Sequence, residues 1–268
     1  MHAQGIFPDD LKQRTLDTLN LAEGGTFMLG DVGHTDKDGQ FHDFTNDANL
    51  FPIHQVMLTS YSIMAYEVTF KDFDFYTKLH GDELALKRFR KEIYTQPHYP
   101  VDGVTWHQAH DYCKWLDQQI GYPMDLPTEA QWEYAARSRG KAFAHATNNG
   151  DIEYGVNYRD PRKIWHPMPV GTWAPNPLGI YDMTGNVDEW TLDTWCIYQK
   201  ELLVDPQHTD DLIPDLSSQK ITRGSGVIDM KGQIQLYRRA VRNPNQTGTG
   251  IGIRCVVNYP KPIKFTKP

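Results

Sequence analysis

The chain has 268 residues, 39% hydrophobic and 12% aromatic with seven tryptophans, enough to bury a sizeable core in one domain. Asp and Glu number 34 against 27 Lys and Arg, for a formal net charge of -7, so the basic footprint of a nucleic-acid binder is excluded and the mild acid excess reads as solubility. No apolar run reaches the ~20 residues of a membrane span, and Met1-His2-Ala3-Gln4 does not open the charged-then-apolar pattern of a signal peptide.

Residues 1–22 read as a lead-in with a weak helical pattern from Leu11 to Leu21. Gly24 to Gly30 is a short apolar strand between glycines, and a polar loop runs from Asp31 to Asn49. His54 to Leu58 and Tyr61 to Val68 suit strands, with imperfect alternation. Thr69 then caps a helix whose apolar positions include Phe70, Phe73 and Tyr76. Asp82 to Ile93 is charged and helical in pattern and reads as a solvated face; Pro97 and Pro100 stop it. His107 to Gln118 forms an amphipathic helix with Ala109, Tyr112, Cys113 and Leu116 at helical spacing. His107 and His110 could pair on a metal but read as ordinary core or surface histidines.

Thr128 and Gln131 make a capping box at the start of a further helix that ends near Arg137. After Gly140 the regular signals thin. Residues 141–180 are rich in Gly, Pro and Asn and read mostly as loop, a length that is often functional and that a bound metal could staple. No repeat or linker interrupts the chain. The expected organisation is a lead-in (1–22), one domain (23–260) and a tail (261–268). Cys113, Cys196 and Cys255 are not at CxxC spacing, which argues against a zinc knuckle or thioredoxin-like motif and leaves at least one free thiol.

Several segments then occur in a telling order. They are Gly24-Gly25-Thr26-Phe27-Met28-Leu29-Gly30, Tyr66-Glu67-Val68-Thr69, Val104-Thr105-Trp106, Tyr112-Cys113-Lys114-Trp115, Leu126-Pro127-Thr128-Glu129-Ala130-Gln131-Trp132-Glu133-Tyr134-Ala135-Ala136-Arg137, Asn176 through Trp190, and Gly252-Ile253-Arg254-Cys255. Across roughly residues 24–256 the set resembles the formylglycine-generating enzyme, or sulfatase-modifying factor, family. The resemblance implies an α+β, C-type-lectin-like (formylglycine-generating enzyme) fold with much irregular structure. It implies no particular reaction, since one fold hosts many.

The resemblance also carries a site map. Asp182, Gly185, Val187 and Glu189 match family positions that hold a structural calcium ion, and the chemistry is apt: calcium takes carboxylate and carbonyl oxygens, and a Gly-Asn turn lets carbonyls converge. Without the ion the segment is a tight turn with exposed acids. A second family calcium site, near Asn157 and Tyr158, has no clear acidic counterpart here. The family enzyme binds copper through two cysteines that follow a Gly-Gly-Ser turn, because soft thiolates suit copper(I). By spacing Asp229 and Ile234 stand at those two positions, and Gly226 stands at the serine. A carboxylate and an isoleucine do not replace a dithiolate, so neither copper nor formylglycine formation is expected. The resemblance pairs Cys113 with Cys255, the alternative being two buried thiols in a reduced protein. A second family pair is absent at both ends, where Ala136 and Arg239 stand.

Two functions fit these residues. The first is a non-catalytic binding or accessory protein, an envelope or toxin-immunity partner holding a protein or small ligand in a lectin-like pocket, with Trp190, Gly226, Arg239 and Arg242 as pocket candidates. The alternative is a copper-free tailoring enzyme like the periplasmic factor of pyoverdine maturation, with Asp229, Arg239, Arg242 and Trp190 around the old site. Arg239 and Arg242 equally read as structural ion-pair residues. A disulfide would place the protein in the periplasm or outside the cell, and two free thiols in the cytoplasm.

Overall fold

A computed structural model describes residues 9–81, 95–160, 162–209, 219–227, 229, 234–247 and 249–263. The charged segment expected to be helical, at 82–93, lies outside them. The helices are α1 (Asp9–Asp17), α2 (Phe70–His80), α3 (Trp106–Ile120) and α4 (Glu129–Ala136). The strands are β1 (Leu19–Ala22), β2 (Gly25–Leu29), β3 (His34–Thr35), β4 (Phe41–His42), β5 (His54–Leu58), β6 (Tyr61–Met64), β7 (Met124–Asp125), β8 (Asp188–Thr194), β9 (Leu203–Val204), β10 (Lys220–Arg223), β11 (Arg239–Arg242), β12 (Ile251–Gly252) and β13 (Val256–Val257). They form sheets in the orders β1-β6-β13-β7, β11-β10-β8-β12 and β2-β5-β9, plus the hairpin β3-β4. This is a mixed α and β fold with long irregular connections.

Local chemistry explains the helix starts. Thr69 accepts from the Asp72 amide to open α2, and Gly81 closes it in the left-handed region. Both α3 and α4 carry a full capping box, Thr105 with Gln108 and Thr128 with Gln131. From Asp9 onward the lead-in packs against the rest of the described chain. Helix α1 buries Leu11 and Leu16, and β1 pairs antiparallel with β6, Leu19 opposite Met64. Strand β6 is buried on both faces, which is why its sequence does not alternate.

The core has two parts. One gathers α2 and α3 around Phe73, Tyr112, Trp115 and Trp190. Here Cys113 and Cys255 form a disulfide across 142 residues of sequence with a Cα–Cα distance of 5.7 Å, as the resemblance implied. Closing so long a loop stabilises by roughly 4–5 kcal/mol in the chain-entropy account.

The other part gathers Phe27, Leu29, Val56, Trp132 and Tyr134 around α4, and a row of buried charges runs beside it. Glu129 and Glu133 lie one helical turn apart and are buried. Arg239 grips Glu129 with two bonds, Nε to Oε1 at 2.6 Å and Nη2 to Oε2 at 2.9 Å. Arg223 spans both acids, reaching Glu129 at 2.9 Å and Glu133 at 2.5 Å. Arg137 completes the row at 2.9 Å from Glu133. On the neighbouring strand, Arg254 holds Glu189 at 2.7 Å, and Trp132 Nε1 donates to the same carboxylate at 2.6 Å.

Removing one member of this row leaves a buried charge without its counter-ion. Arg223→Met is therefore expected to cost roughly 3–5 kcal/mol, read as a fall in the urea midpoint; a loss within experimental error would show that the row carries no stability.

Asp193, on β8, accepts from the backbone N–H groups of Glu129 and His208. Burial, with the Glu129 charge adding to it, pushes its carboxyl up to about 7. Since this lies above the unfolded value, the folded state holds the extra proton, and stability falls as pH rises from about 4 to about 7 by up to a few kcal/mol. The urea midpoint is expected to drop between pH 5 and pH 8, and Asp193→Asn to shrink that drop. A midpoint that rises over this interval contradicts the assignment.

Candidate functional site

Strand β10 ends at Arg223, and Gly224 turns the chain with φ +89°. A Cβ here would sit 3.4 Å from the Trp132 ring, so the turn presses closely on α4. Ser225 follows, fully buried. Asp229 then braces the loop. Its Oδ2 accepts from the Gly226 amide at 2.8 Å and from Arg238 at 2.7 Å. Its amide donates to the Gly226 carbonyl, and its own carbonyl accepts from Arg159 at 3.1 Å. Ile234 is 1% exposed, and its carbonyl lies 3.3 Å from His145 Nδ1. The two positions expected to be degenerate thus serve as a loop brace and a core residue.

Beside this turn lies Asp188, which sequence reasoning did not single out. Burial pushes its carboxyl up to about 6 against the pull of Arg238 and Arg242. Arg242 contacts Asp188 Oδ2 at 3.3 Å. Several buried polar atoms lack partners among the described residues: Asp188 Oδ1, Arg242 Nε and Ser225 Oγ. Of the four pocket candidates, Gly226 is in the turn, while Arg242 pairs with Lys220 at the other end of β10 and reaches Asp188 with its side chain. Trp190 and Arg239 are in the packed interior instead. Trp190 is fully buried with Nε1 donating to the Val104 carbonyl at 3.0 Å, and Arg239 is locked on Glu129. The reason is geometric: successive residues of β8 face opposite sides, and both sides are covered.

The segment proposed to bind calcium forms a coiled loop. Asp182 and Asn186 take φ of +63° and +65°, and Gly185 takes +107°, where a Cβ would fall 2.6 Å from the Tyr158 ring. Asp182 accepts from the Gly171 amide at 2.6 Å. Asn186 donates to Glu67 at 2.7 Å and accepts from the Met168 amide at 2.9 Å. Burial pushes Asp182 up to about 6, the Glu189 charge adding to it. Burial, then the charges of Asp182 and Glu189, raises buried Glu67 well above the usual carboxylate range. Glu67 Oε1 has no partner. Three acids therefore share one guanidinium, that of Arg254. At the weaker second position Asn157 closes a polar turn instead, with bonds to Asn148 and to the Glu153 amide. Among the described residues no three His, Cys, Asp or Glu side chains converge on a ready-made metal site.

Glu67 and Arg254 were hidden within the quoted motifs, where a lone charge inside an apolar segment was the available signal. Arg238 and Asp188 gave no such signal. Cys196 is the free thiol. It is 1% exposed and its carbonyl accepts from Arg239 at 3.1 Å; burial pushes the thiol up to about 11. No helix among the described residues is long and apolar enough to cross a membrane.

The Sulfatase-modifying factor enzyme 1-like domain matches residues 4–259. The serine/threonine-protein kinase pkn1 of Chlamydia pneumoniae is 28% identical over 262 residues, which cover 92% of this chain and 39% of that protein. The formylglycine-generating enzyme of Bos taurus is 27% identical over 180 residues, 61% of this chain and 45% of that protein. The chain thus spans less than half the length of these two relatives. Among solved structures, PvdO from Pseudomonas aeruginosa overlays with a TM-score of 0.66 at 24% identity, covering 89% of this chain and 93% of that one. Treponema denticola variable protein 1 overlays with a TM-score of 0.68 at 20% identity, covering 90% and 95%. These overlays speak to fold alone. With a domain match that runs over nearly its whole length, the chain belongs to the sulfatase-modifying factor, or formylglycine-generating-enzyme-like, family.

Proposed function

We propose that the chain is a binding or accessory protein on the sulfatase-modifying factor scaffold, with the Gly224 turn as its recognition surface and no copper oxidase chemistry. The observation that carries this is the use made of the old thiolate positions. Asp229 is spent bracing its own loop and Ile234 is packed in the core. Of the three cysteines in the chain, two are joined to each other and Cys196 is buried beside Arg239. No pair of free thiols exists to hold copper(I). A protein partner or a small ligand is the expected occupant of the turn. A second reading, a copper-free tailoring enzyme, draws support from the unpaired Ser225 hydroxyl at that same turn. The disulfide supports an oxidising location, periplasmic or secreted.

The direct test supplies copper(I), oxygen and a sulfatase-type cysteine peptide. The expected result is an unchanged peptide thiol and no tightly retained copper. Conversion of the cysteine to an aldehyde overturns the proposal.

We also propose a structural calcium ion on the loop of Asp182, held by the Asp182 carboxylate and the carbonyls of Gly185 and Val187, with Glu189 in support. Glu189 is already gripped by Arg254 and Trp132. The residues fit a cation in charge: Glu67, Asp182 and Glu189 face one arginine, and Glu67 Oε1 is left without a partner. Calcium would supply a fixed oxygen-binding centre that staples the irregular 141–187 region. Saturating calcium is expected to raise Tm by several degrees, in line with roughly 2.7 kcal/mol at a hundredfold excess over Kd, and Asp182→Asn to abolish the rise. Equal melting with calcium and with chelator sinks this assignment.

A further inference from the structure

We propose that the cavity beside Arg242 is a subsite for a carboxylate-bearing ligand. This rests on the reading of the chain as a binding protein and specifies the chemistry of what it binds. A cavity of about 190 Å³ opens beside β11, lined by Arg242, Gln246, Thr249 and Ile251. Three of these present hydrogen-bond donors. Ile251 is 5% exposed and forms an apolar wall.

The arginine is under-used. A guanidinium carries five N–H donors in a planar fork. Arg242 gives Asp188 one of them, from Nη2 over 3.3 Å, longer than the 2.7–2.9 Å of a good charge-assisted bond. Its Nε has no partner. Its side chain is 37% exposed, so solvent reaches the remaining fork. Asp188, whose side chain is 8% exposed, takes only this one long bond from the arginine and so does not occupy the fork. Arg238, whose charge also acts on Asp188, bonds Asp229 with its side chain. Among the described residues Arg242 thus keeps most of its donors unspent.

A planar anion accepts two parallel N–H bonds from such a fork, which favours carboxylate geometry. Gln246 and Thr249 are placed to meet a second polar atom of the ligand. The volume is below the roughly 300 Å³ of pockets that enclose a drug-sized molecule, so it suits one residue-sized group. A peptide C-terminus and a free short-chain acid present this same chemistry.

Titration calorimetry on the full chain separates the sources. The probes are N-acetylglycylalanine, its C-terminal amide, and propionate. The acid peptide is expected to bind saturably, the amide not. Arg242→Gln is expected to weaken the acid roughly tenfold or more, the scale of a lost charge-assisted bond pair. Thr249→Val, which removes no charge, is expected to weaken it a few-fold. Tighter binding of the peptide acid than of propionate assigns a peptide terminus; equal binding assigns a free acid; both support the subsite. Binding of amide and acid alike, no saturable binding of either acid, or unchanged affinity in a folded Arg242→Gln overturns it. The copper and peptide-conversion assay reads the binding-protein proposal separately, so loss of carboxylate binding with no peptide conversion removes the subsite alone.

Discussion

Four arginines and three glutamates, all out of solvent, hold together a chain that has little regular structure of its own. Glu129 and Glu133 project from α4 towards Arg137, Arg223 and Arg239, and Glu189 meets Arg254 on the adjoining strand. Ion pairs alone would be a weak reason for stability, because desolvating the charges costs about what their attraction returns. The arginines do more than neutralise acids. Their remaining N–H groups donate to the carbonyls of Met28, Asn49, Met64, Gly140, Tyr181, Cys196, Leu236 and Tyr237. Most of these lie in loops or at strand ends, where no ladder partner is at hand. Buried backbone carbonyls need donors, and here guanidinium groups supply what sheet neighbours would supply elsewhere.

This arrangement also sets where the proposed recognition surface lies. Strand β8 sends Glu189 and Asp193 towards α4 and its neighbours, and sends Asp188 and Trp190 the other way. The first face is saturated with ion pairs. On the second face, Trp190 is sealed into the core, while Asp188 is met by Arg242, which has donors to spare. The Gly224 turn sits where these faces end, with its backbone tight against Trp132. A rigid charged interior therefore displays a short, polar, incompletely satisfied rim, which is what a binding site on a stable scaffold requires.

The same logic explains Asp229. A carboxylate at a position that the resemblance reserves for a thiolate does not leave an empty hole. It accepts from the Gly226 amide and from Arg238, and closes its own loop. The substitution exchanges a metal-ligating group for a structural one.

Much of this was legible locally. Helices α2 and α4 were readable because Thr69 and Thr128 satisfy their own first-turn amides, a contact within three residues of sequence, and α3 because Ala109, Tyr112, Cys113 and Leu116 keep helical spacing. The absence of a dithiolate was readable from residue identity, and so was the pairing of Cys113 with Cys255 once the family motifs were seen. Strands β8, β10 and β11 were not readable, because β8 is buried on both sides while carrying charges, which defeats both the alternating and the continuous apolar pattern. The sequence by itself determined the helices, the charge balance and the count of three cysteines, since each depends on neighbours in the chain or on side-chain identity. Only the tertiary structure decided that Trp190 and Arg239 are interior, that Asp188 and Arg242 meet at the rim, and which arginine serves which acid. Apart from the Arg137–Glu133 pair one helical turn apart, those outcomes depend on contacts such as the ones between residues 54 to 110 positions apart, and no local pattern encodes them.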